Sequence, residues 1–202
     1  MRIPRLYAIA DAACFGTADA LIAHVGEFVA GGVTLLQYRN KIGSAREMLL
    51  QARELRHLFP SLTLIMNDRA DLALVAAFDG VHVGQDDLSP SAVRAVVGPK
   101  LIVGVSTHNP EQVCEADAWP VDYIAVGPVF STDSKLNPDP VIGLDGVRRA
   151  RQLTRKPLVA IGGVTRQNAV EVVEAGADAV AVIADLLLSP RVSVQEFLKT
   201  LA

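Results

Sequence analysis

The chemistry in this chain gathers where short apolar runs end. The run Leu35-Leu36 passes into Gln37-Tyr38-Arg39-Asn40-Lys41. Side chains alternate across an extended strand, so Gln37, Arg39 and Lys41 share one face while Leu36 and Tyr38 share the other. One amide and two cations aimed together make an anion site. A solvated loop is the plainer alternative, and Gln37 argues against it by placing an amide inside an apolar run. A second run ends in Met66-Asn67-Asp68-Arg69 and a third in Gly84-Gln85-Asp86-Asp87. Asp68 and Asp87, on neighbouring strand ends beside cations, suit Mg2+, which is held by one or two carboxylates plus substrate phosphates. Both also suit helix N-caps, a frequent role of Asp at such junctions. The sequence alone leaves that choice open.

The next run ends in Val105-Ser106-Thr107-His108, and the one after it in Gly127-Pro128-Val129-Phe130-Ser131-Thr132-Asp133-Ser134-Lys135. The latter puts hydroxyls and an ammonium in a turn of small residues able to wrap an anion, or else forms a polar surface loop. Two further runs close with Ile161-Gly162-Gly163-Val164-Thr165 and Val182-Ile183-Ala184-Asp185. Glycines there let backbone N–H groups approach a phosphate. The pattern therefore offers one cation-rich and one backbone-rich anion site. His24 and His57 fall in helical patterns. His82, between Val81 and Val83, points inward and reads as a hydrogen-bonded core residue. His108 follows a strand and is placed to meet a ligand. No histidine pair has metal-ligand spacing.

The elements that must position these groups alternate strictly. Strands are expected over 6–9, 33–38, 62–66, 80–83, 101–105, 123–126, 158–161 and 179–183, with helices over 18–30, 44–58, 69–77, 90–97, 110–118, 144–153, 166–175 and 192–201. Gly31-Gly32 and Gly176 sit where helices need left-handed C-caps, and Asp68 and Ser89 read as N-caps. Eight βα units with parallel strands fit a single (β/α)8 barrel over residues 1–202, whose site lies at the C-terminal ends of the strands. An open doubly wound sheet is the alternative, but the segment after Tyr7-Ala8-Ile9 lacks its glycine-rich fingerprint. No linker, low-complexity tract or internal repeat is evident.

Composition narrows the classes further. The chain has 202 residues, a net charge of −3, and 50% hydrophobic, 20% charged and 5% aromatic residues. Disorder needs lower hydrophobicity and higher net charge. Acids outnumber bases by 22 to 19, which argues against nucleic-acid binding. Cys14 and Cys114 are too few for a disulfide scaffold and read as free thiols. The longest apolar runs, 72–78 and 179–184, fall well short of a membrane span and end at aspartates. Pro4, Arg5 and Asp11 interrupt any signal-peptide core. A soluble, cytoplasmic protein is expected, with no nucleic-acid or membrane partner.

In order and spacing, GGVTLLQYRNK, IMNDRADLALVAAFDGVHVGQDDL, VGVSTHN, YIAVGPVFSTDSK, AIGGVTRQN and GADAVAVI resemble the thiamine phosphate synthase family over nearly the whole chain. The resemblance implies a (β/α)8 barrel that joins 4-amino-2-methyl-5-(diphosphooxymethyl)pyrimidine to a thiazole phosphate, releasing pyrophosphate. The pyrimidine would ionise to a carbocation before the thiazole nitrogen attacks. It implies that Gln37 recognises the pyrimidine and that Arg39, Lys41, Asn67, Ser106 and Lys135 hold the pyrophosphate, with Arg39, Lys41, Ser106 and Lys135 serving catalysis. Tyr38 and Asn40 would join the substrate-binding segment. Asp68 and Asp87 would bind one Mg2+. Thr132, Asp133, Ser134, Gly163, Ile183 and Ala184 would line the thiazole phosphate site. A homo-oligomer is compatible with the family.

The sequence departs from the family pattern at Ala184, where Ser is common, and at Ser131 and Ser134, where Pro and Thr are usual. Tyr38 and Asn40 are less usual fillers. These departures bear on affinity more than on activity. Two rivals are a thiazole tautomerase of the same superfamily, which lacks the pyrophosphate-holding residues, and a non-catalytic phosphate-binding barrel. Retention of Arg39, Lys41, Asn67, Asp68 and Lys135 argues against the first, and both aspartates beside a full cationic set argue against the second.

Overall fold

The computed structural model describes residues 3–132 and 139–202. Eight parallel strands close into a barrel in sequence order: β1 Leu6–Asp11, β2 Leu35–Arg39, β3 Thr63–Asn67, β4 Gly80–Val83, β5 Ile102–Thr107, β6 Tyr123–Val126, β7 Leu158–Ile161 and β8 Ala179–Val182. The helices between and after them are α1 Ala18–Gly31, α2 Ala45–Leu58, α3 Ala70–Val75, α4 Pro90–Val97, α5 Pro110–Ala118, α6 Gly143–Leu153, α7 Ala169–Glu174 and α8 Pro190–Thr200. The expected architecture and element order hold.

Local chemistry explains the boundaries. Ser44 and Glu47 form a reciprocal capping box at the start of α2, and Thr17, Ser89 and Asn109 accept N–H groups at the starts of α1, α4 and α5. Gly32 ends α1 at φ 111°, a conformation that leaves no room for a Cβ. One expected cap is corrected. Asp68 does not cap α3, whose N-cap is Arg69 with no side-chain bond.

Strand alternation splits the core in two. Leu36, Tyr38, Met66, Val81 and Val105 face outward and bury against the helices with Phe28, Leu55 and Phe197. Tyr7, Ile9, Leu35, Ile65, Tyr123 and Val159 fill the barrel interior. Gly104 on β5 makes this filling possible, since a Cβ there would overlap the Tyr123 ring.

The barrel floor carries a device that the sequence reading misses. Arg56 of α2 donates to the carbonyls of Pro60, Leu62 and Ala77 and to Asp79, which also accepts the Leu64 N–H. Arg94 of α4 does the same with Gly98, Leu101, Pro120 and Asp122, and Asp122 accepts Val103 N–H. Arg151 of α6 repeats it with Thr154, Lys156 and Asp178, and Asp178 accepts Leu158 N–H. Each clamp ties an even-numbered helix to the turns entering the next two strands. The arginine–aspartate separations of 23, 28 and 27 residues vary too much to show as a period in the sequence.

Candidate functional site

The C-terminal ends of the strands bring most of the expected residues to one mouth. On β2 the inward face carries Gln37 and Arg39, as the alternation required. Arg39 pairs with Asp11, its register partner on β1. Sequence reasoning missed Asp11, which is buried and also accepts the Ala13 N–H at 3.1 Å. Its signal was available, because it ends an apolar strand as Arg39 and Asn67 do.

Lys41 Nζ lies 3.0 Å from Asp68 Oδ2. The Asp87 carboxylate lies near enough to act on Asp68, so the two strand ends bring both carboxylates to one place. Burial, and then the neighbouring Asp87 carboxylate, push the Asp68 carboxyl above the usual range, against the pull of Lys41. Asp68 holds φ 62°, a left-handed backbone in which non-glycine residues are strained. Asp87 accepts the Gly84 N–H at 2.8 Å, whereas the cap of α4 is Ser89. Neither aspartate caps a helix, so the capping alternative falls for both. Asn67 sits beside them, and its Nδ2 is buried with no hydrogen-bond partner among the described residues.

A chain of polar side chains crosses the barrel interior beneath this cluster. Gln37 Nε2 donates to the Tyr7 hydroxyl at 3.0 Å, and the Tyr7 and Tyr123 hydroxyls lie 2.9 Å apart. The Tyr123 hydroxyl is 2.9 Å from His82 Nδ1, and His82 Nε2 is 2.8 Å from Ser106 Oγ. Burial depresses the His82 pKa to about 4 and pushes both tyrosine hydroxyls well above their ordinary value. His82 is therefore the inward, hydrogen-bonded residue expected. Tyr7 and Tyr123 were missed, since an aromatic in an apolar run gives no sign that its hydroxyl is in use.

Two expected substrate contacts are corrected. The Tyr38 side chain points outward to α2, where its hydroxyl donates to Gln51 Oε1. Asn40 donates to that same hydroxyl and to Gln51, and accepts the Ile42 and Gly43 N–H groups. Odd and even positions of this segment face opposite ways, so both side chains brace the turn into α2. His108 is likewise engaged, with Nδ1 at 2.6 Å from the Gly127 carbonyl and Nε2 at 3.4 Å from Asp139.

The expected second anion site falls on backbone. Gly162 and Gly163 adopt φ 97° and 63° in succession. A Cβ at Gly163 would sit 2.5 Å from the Ser131 carbonyl oxygen. The turn after β7 is thus pressed against the segment that leads to Thr132. Phe130 N–H donates to the Gly162 carbonyl at 3.0 Å, which stitches the two together. Ile183 and Ala184 open a short 3-10 turn directly after β8, and Asp185 within it holds Arg166. Asp133, Ser134 and Lys135 lie outside the described residues.

Comparison with known proteins identifies the family. The family model described as thiamine monophosphate synthase matches residues 6–186. A thiamine-phosphate synthase of Koribacter versatilis is 63% identical over 100% of this chain and 97% of its own. One from Chloroflexus aurantiacus is 42% identical over 94% of this chain and 88% of its own. The solved structure of a thiamine phosphate pyrophosphorylase from Pyrococcus furiosus superposes with a TM-score of 0.87 at 33% identity, covering 98% of this chain and 95% of that one. The chain belongs to the thiamine monophosphate synthase family.

Proposed function

We propose that this chain condenses 4-amino-2-methyl-5-(diphosphooxymethyl)pyrimidine with thiazole phosphate, using one Mg2+ held by Asp68 and Asp87 at the mouth of the barrel. As a thiamine-phosphate synthase it is a transferase of thiamine biosynthesis, and both of its substrates are phosphorylated. The finer reading rests on one observation. Among the described residues, three carboxylates (Asp11, Asp68, Asp87) stand against two cations (Arg39, Lys41) in paired contact. A divalent cation joining these carboxylates would offset them and favour the anionic substrates. Two neighbouring carboxylates would give the hard oxygen donors that Mg2+ takes and would leave its remaining positions to phosphate oxygens. No group of three or more His, Cys, Asp or Glu side chains that could hold a metal occurs among the described residues, so a site of higher protein ligand count is not supported.

The division of labour follows from the side chains. Arg39 and Lys41 donate to pyrophosphate oxygens, their pairing with Asp11 and Asp68 holding them extended into the mouth. The buried Asn67 Nδ2 supplies a neutral donor. Ser106 adds a hydroxyl and Lys135 a further cation. These donors favour departure of the pyrophosphate because its charge grows as the bond breaks. Bound Mg2+ would neutralise part of that charge. Gln37 faces the pyrimidine. Thr132, Asp133, Ser134, Gly163, Ile183 and Ala184 hold the thiazole phosphate, so the two reactants are aligned across the mouth.

Formation of thiamine phosphate from the two substrates, with and without added Mg2+, tests the reading. Turnover only with both substrates and metal is the expected result. Undiminished turnover in excess chelator overturns the metal assignment. Interconversion of thiazole forms without condensation would favour the tautomerase. The chain is also proposed to act in the cytoplasm. No helix among the described residues is long and apolar enough to cross a membrane.

A further inference from the structure

We infer that His82 is a positioning residue that sets the direction of a hydrogen-bond chain, so that the Ser106 hydroxyl hydrogen is presented to the departing pyrophosphate. The chain runs Gln37, Tyr7, Tyr123, His82, Ser106, with each link between 2.8 and 3.0 Å. Its polarity follows from counting donors. Gln37 gives an amide N–H to the Tyr7 oxygen. The Tyr7 O–H then has one described acceptor, Tyr123, whose own O–H goes to His82 Nδ1. A neutral imidazole accepting at Nδ1 carries its hydrogen on Nε2 and donates it to Ser106 Oγ. With its oxygen already accepting, Ser106 turns its own O–H outward. Run in the opposite direction, the chain spends the Ser106 hydrogen on His82 and, with the Gln37 amide N–H on Tyr7, leaves the buried Tyr7 O–H with no acceptor. The unpaired group makes that direction unfavourable.

The same order fixes Gln37. Its N–H faces Tyr7, so its carbonyl oxygen is left for a donor group on the pyrimidine. The two ends of the chain are thus the expected contacts to the two halves of one substrate. His82, Tyr123 and Tyr7 coordinate them without touching the reacting atoms.

This inference rests on the proposed pyrophosphate role of Ser106, and a double-mutant cycle separates the two. The proteins are the native chain, Ser106→Ala, His82→Leu and the double variant. Each is assayed for kcat, for both KM values and for inhibition by added pyrophosphate. Ser106→Ala is expected to lower kcat by about ten- to a hundredfold, the range for losing a hydrogen bond to a charged group. It should also weaken pyrophosphate inhibition, while KM for thiazole phosphate stays unchanged. His82→Leu is expected to reproduce those losses, and the double variant to be no worse than either single one. His82→Gln, which keeps a side-chain N–H donor, should recover most of the rate. If Ser106→Ala is harmless, the reading of Ser106 fails and the inference falls with it. If Ser106→Ala is impaired but the His82 loss is multiplicative with it, the positioning role alone is refuted. If His82→Leu does not fold, Tyr123→Phe takes its place in the cycle under the same criteria.

Discussion

Lowering the pH from 7 to 5 should destabilise the native chain by about 2 kcal/mol more than it destabilises His82→Gln. His82 is buried, with both ring nitrogens on hydroxyls, and its pKa is depressed to about 4 from the ordinary 6.5. The sign follows from proton uptake. Between those two values the unfolded chain binds a proton that the folded chain refuses, so the contribution is full above 6.5 and is lost as pH falls toward 4. Integrating between the two pKa values gives about 2 kcal/mol by pH 5 and about 3 kcal/mol by pH 4. Gln at the same place does not titrate, so the difference between the two proteins cancels the carboxylates that ionise over the same range. Urea unfolding followed by circular dichroism at pH 7 and pH 5 reads this directly. In a thermal melt the same difference amounts to about 4–8 °C for a chain of this size. Parallel pH dependence in the two proteins would refute the picture of a neutral, enclosed imidazole.

Asp87→Ala is expected to abolish Mg2+-dependent turnover while lowering stability by about 1 kcal/mol, the worth of its bond to Gly84 N–H; native activity at ordinary Mg2+ would remove it from the metal site. Tyr38→Phe should leave both KM values unchanged, since its hydroxyl serves Gln51 on α2; a raised KM for either substrate would restore it to the site. Arg94→Met should reduce stability by about 2 kcal/mol in urea unfolding, because three carbonyls and Asp122 lose their donor, with kcat unaffected at the far end of the barrel. Ala184→Ser should lower KM for thiazole phosphate several-fold, to about a hundredfold at most, and leave KM for the pyrimidine substrate unchanged; equal shifts in both would mean that the two anion sites are misplaced.

How far the sequence reaches can be seen in single residues. Gln37, Arg39 and Lys41 were readable because strand alternation is a local rule and a polar residue breaks it visibly. The pairing of Asp68 with Asp87 was readable as two strand ends, but the choice between cap and metal was not. The structure removes the cap, since Arg69 is the N-cap of α3 and Ser89, two residues beyond Asp87, takes the cap of α4. Tyr38 and Asn40 misled because a contiguous motif suggests a contiguous contact, whereas the pleat sends neighbours to opposite faces. Tyr7 and Tyr123 stayed hidden because their partners lie 116 residues apart on opposite sides of the barrel. The floor arginines looked like ordinary charges on solvated helix faces, and their partners are carbonyls, which leave no mark in a sequence.

Those clamps also make the ring uneven. Three of them gather the strand entries from β3 round to β8, but the stretch from α8 to β2 has none. The residues before β2 are Gly32-Val33-Thr34, with no carboxylate to receive an arginine. That arc is closed instead by α1 lying on α8, so tightly that a Cβ on Gly31 would stand 2.8 Å from Val194 Cβ and one on Gly32 2.9 Å from Leu198 Cδ1. Apolar contact weakens on cooling, whereas a guanidinium gripping carbonyls does not depend on water release. The Arg191–Glu27 pair also spans α8 and α1, but this arc relies most on apolar contact, so cooling is expected to loosen the hoop there first.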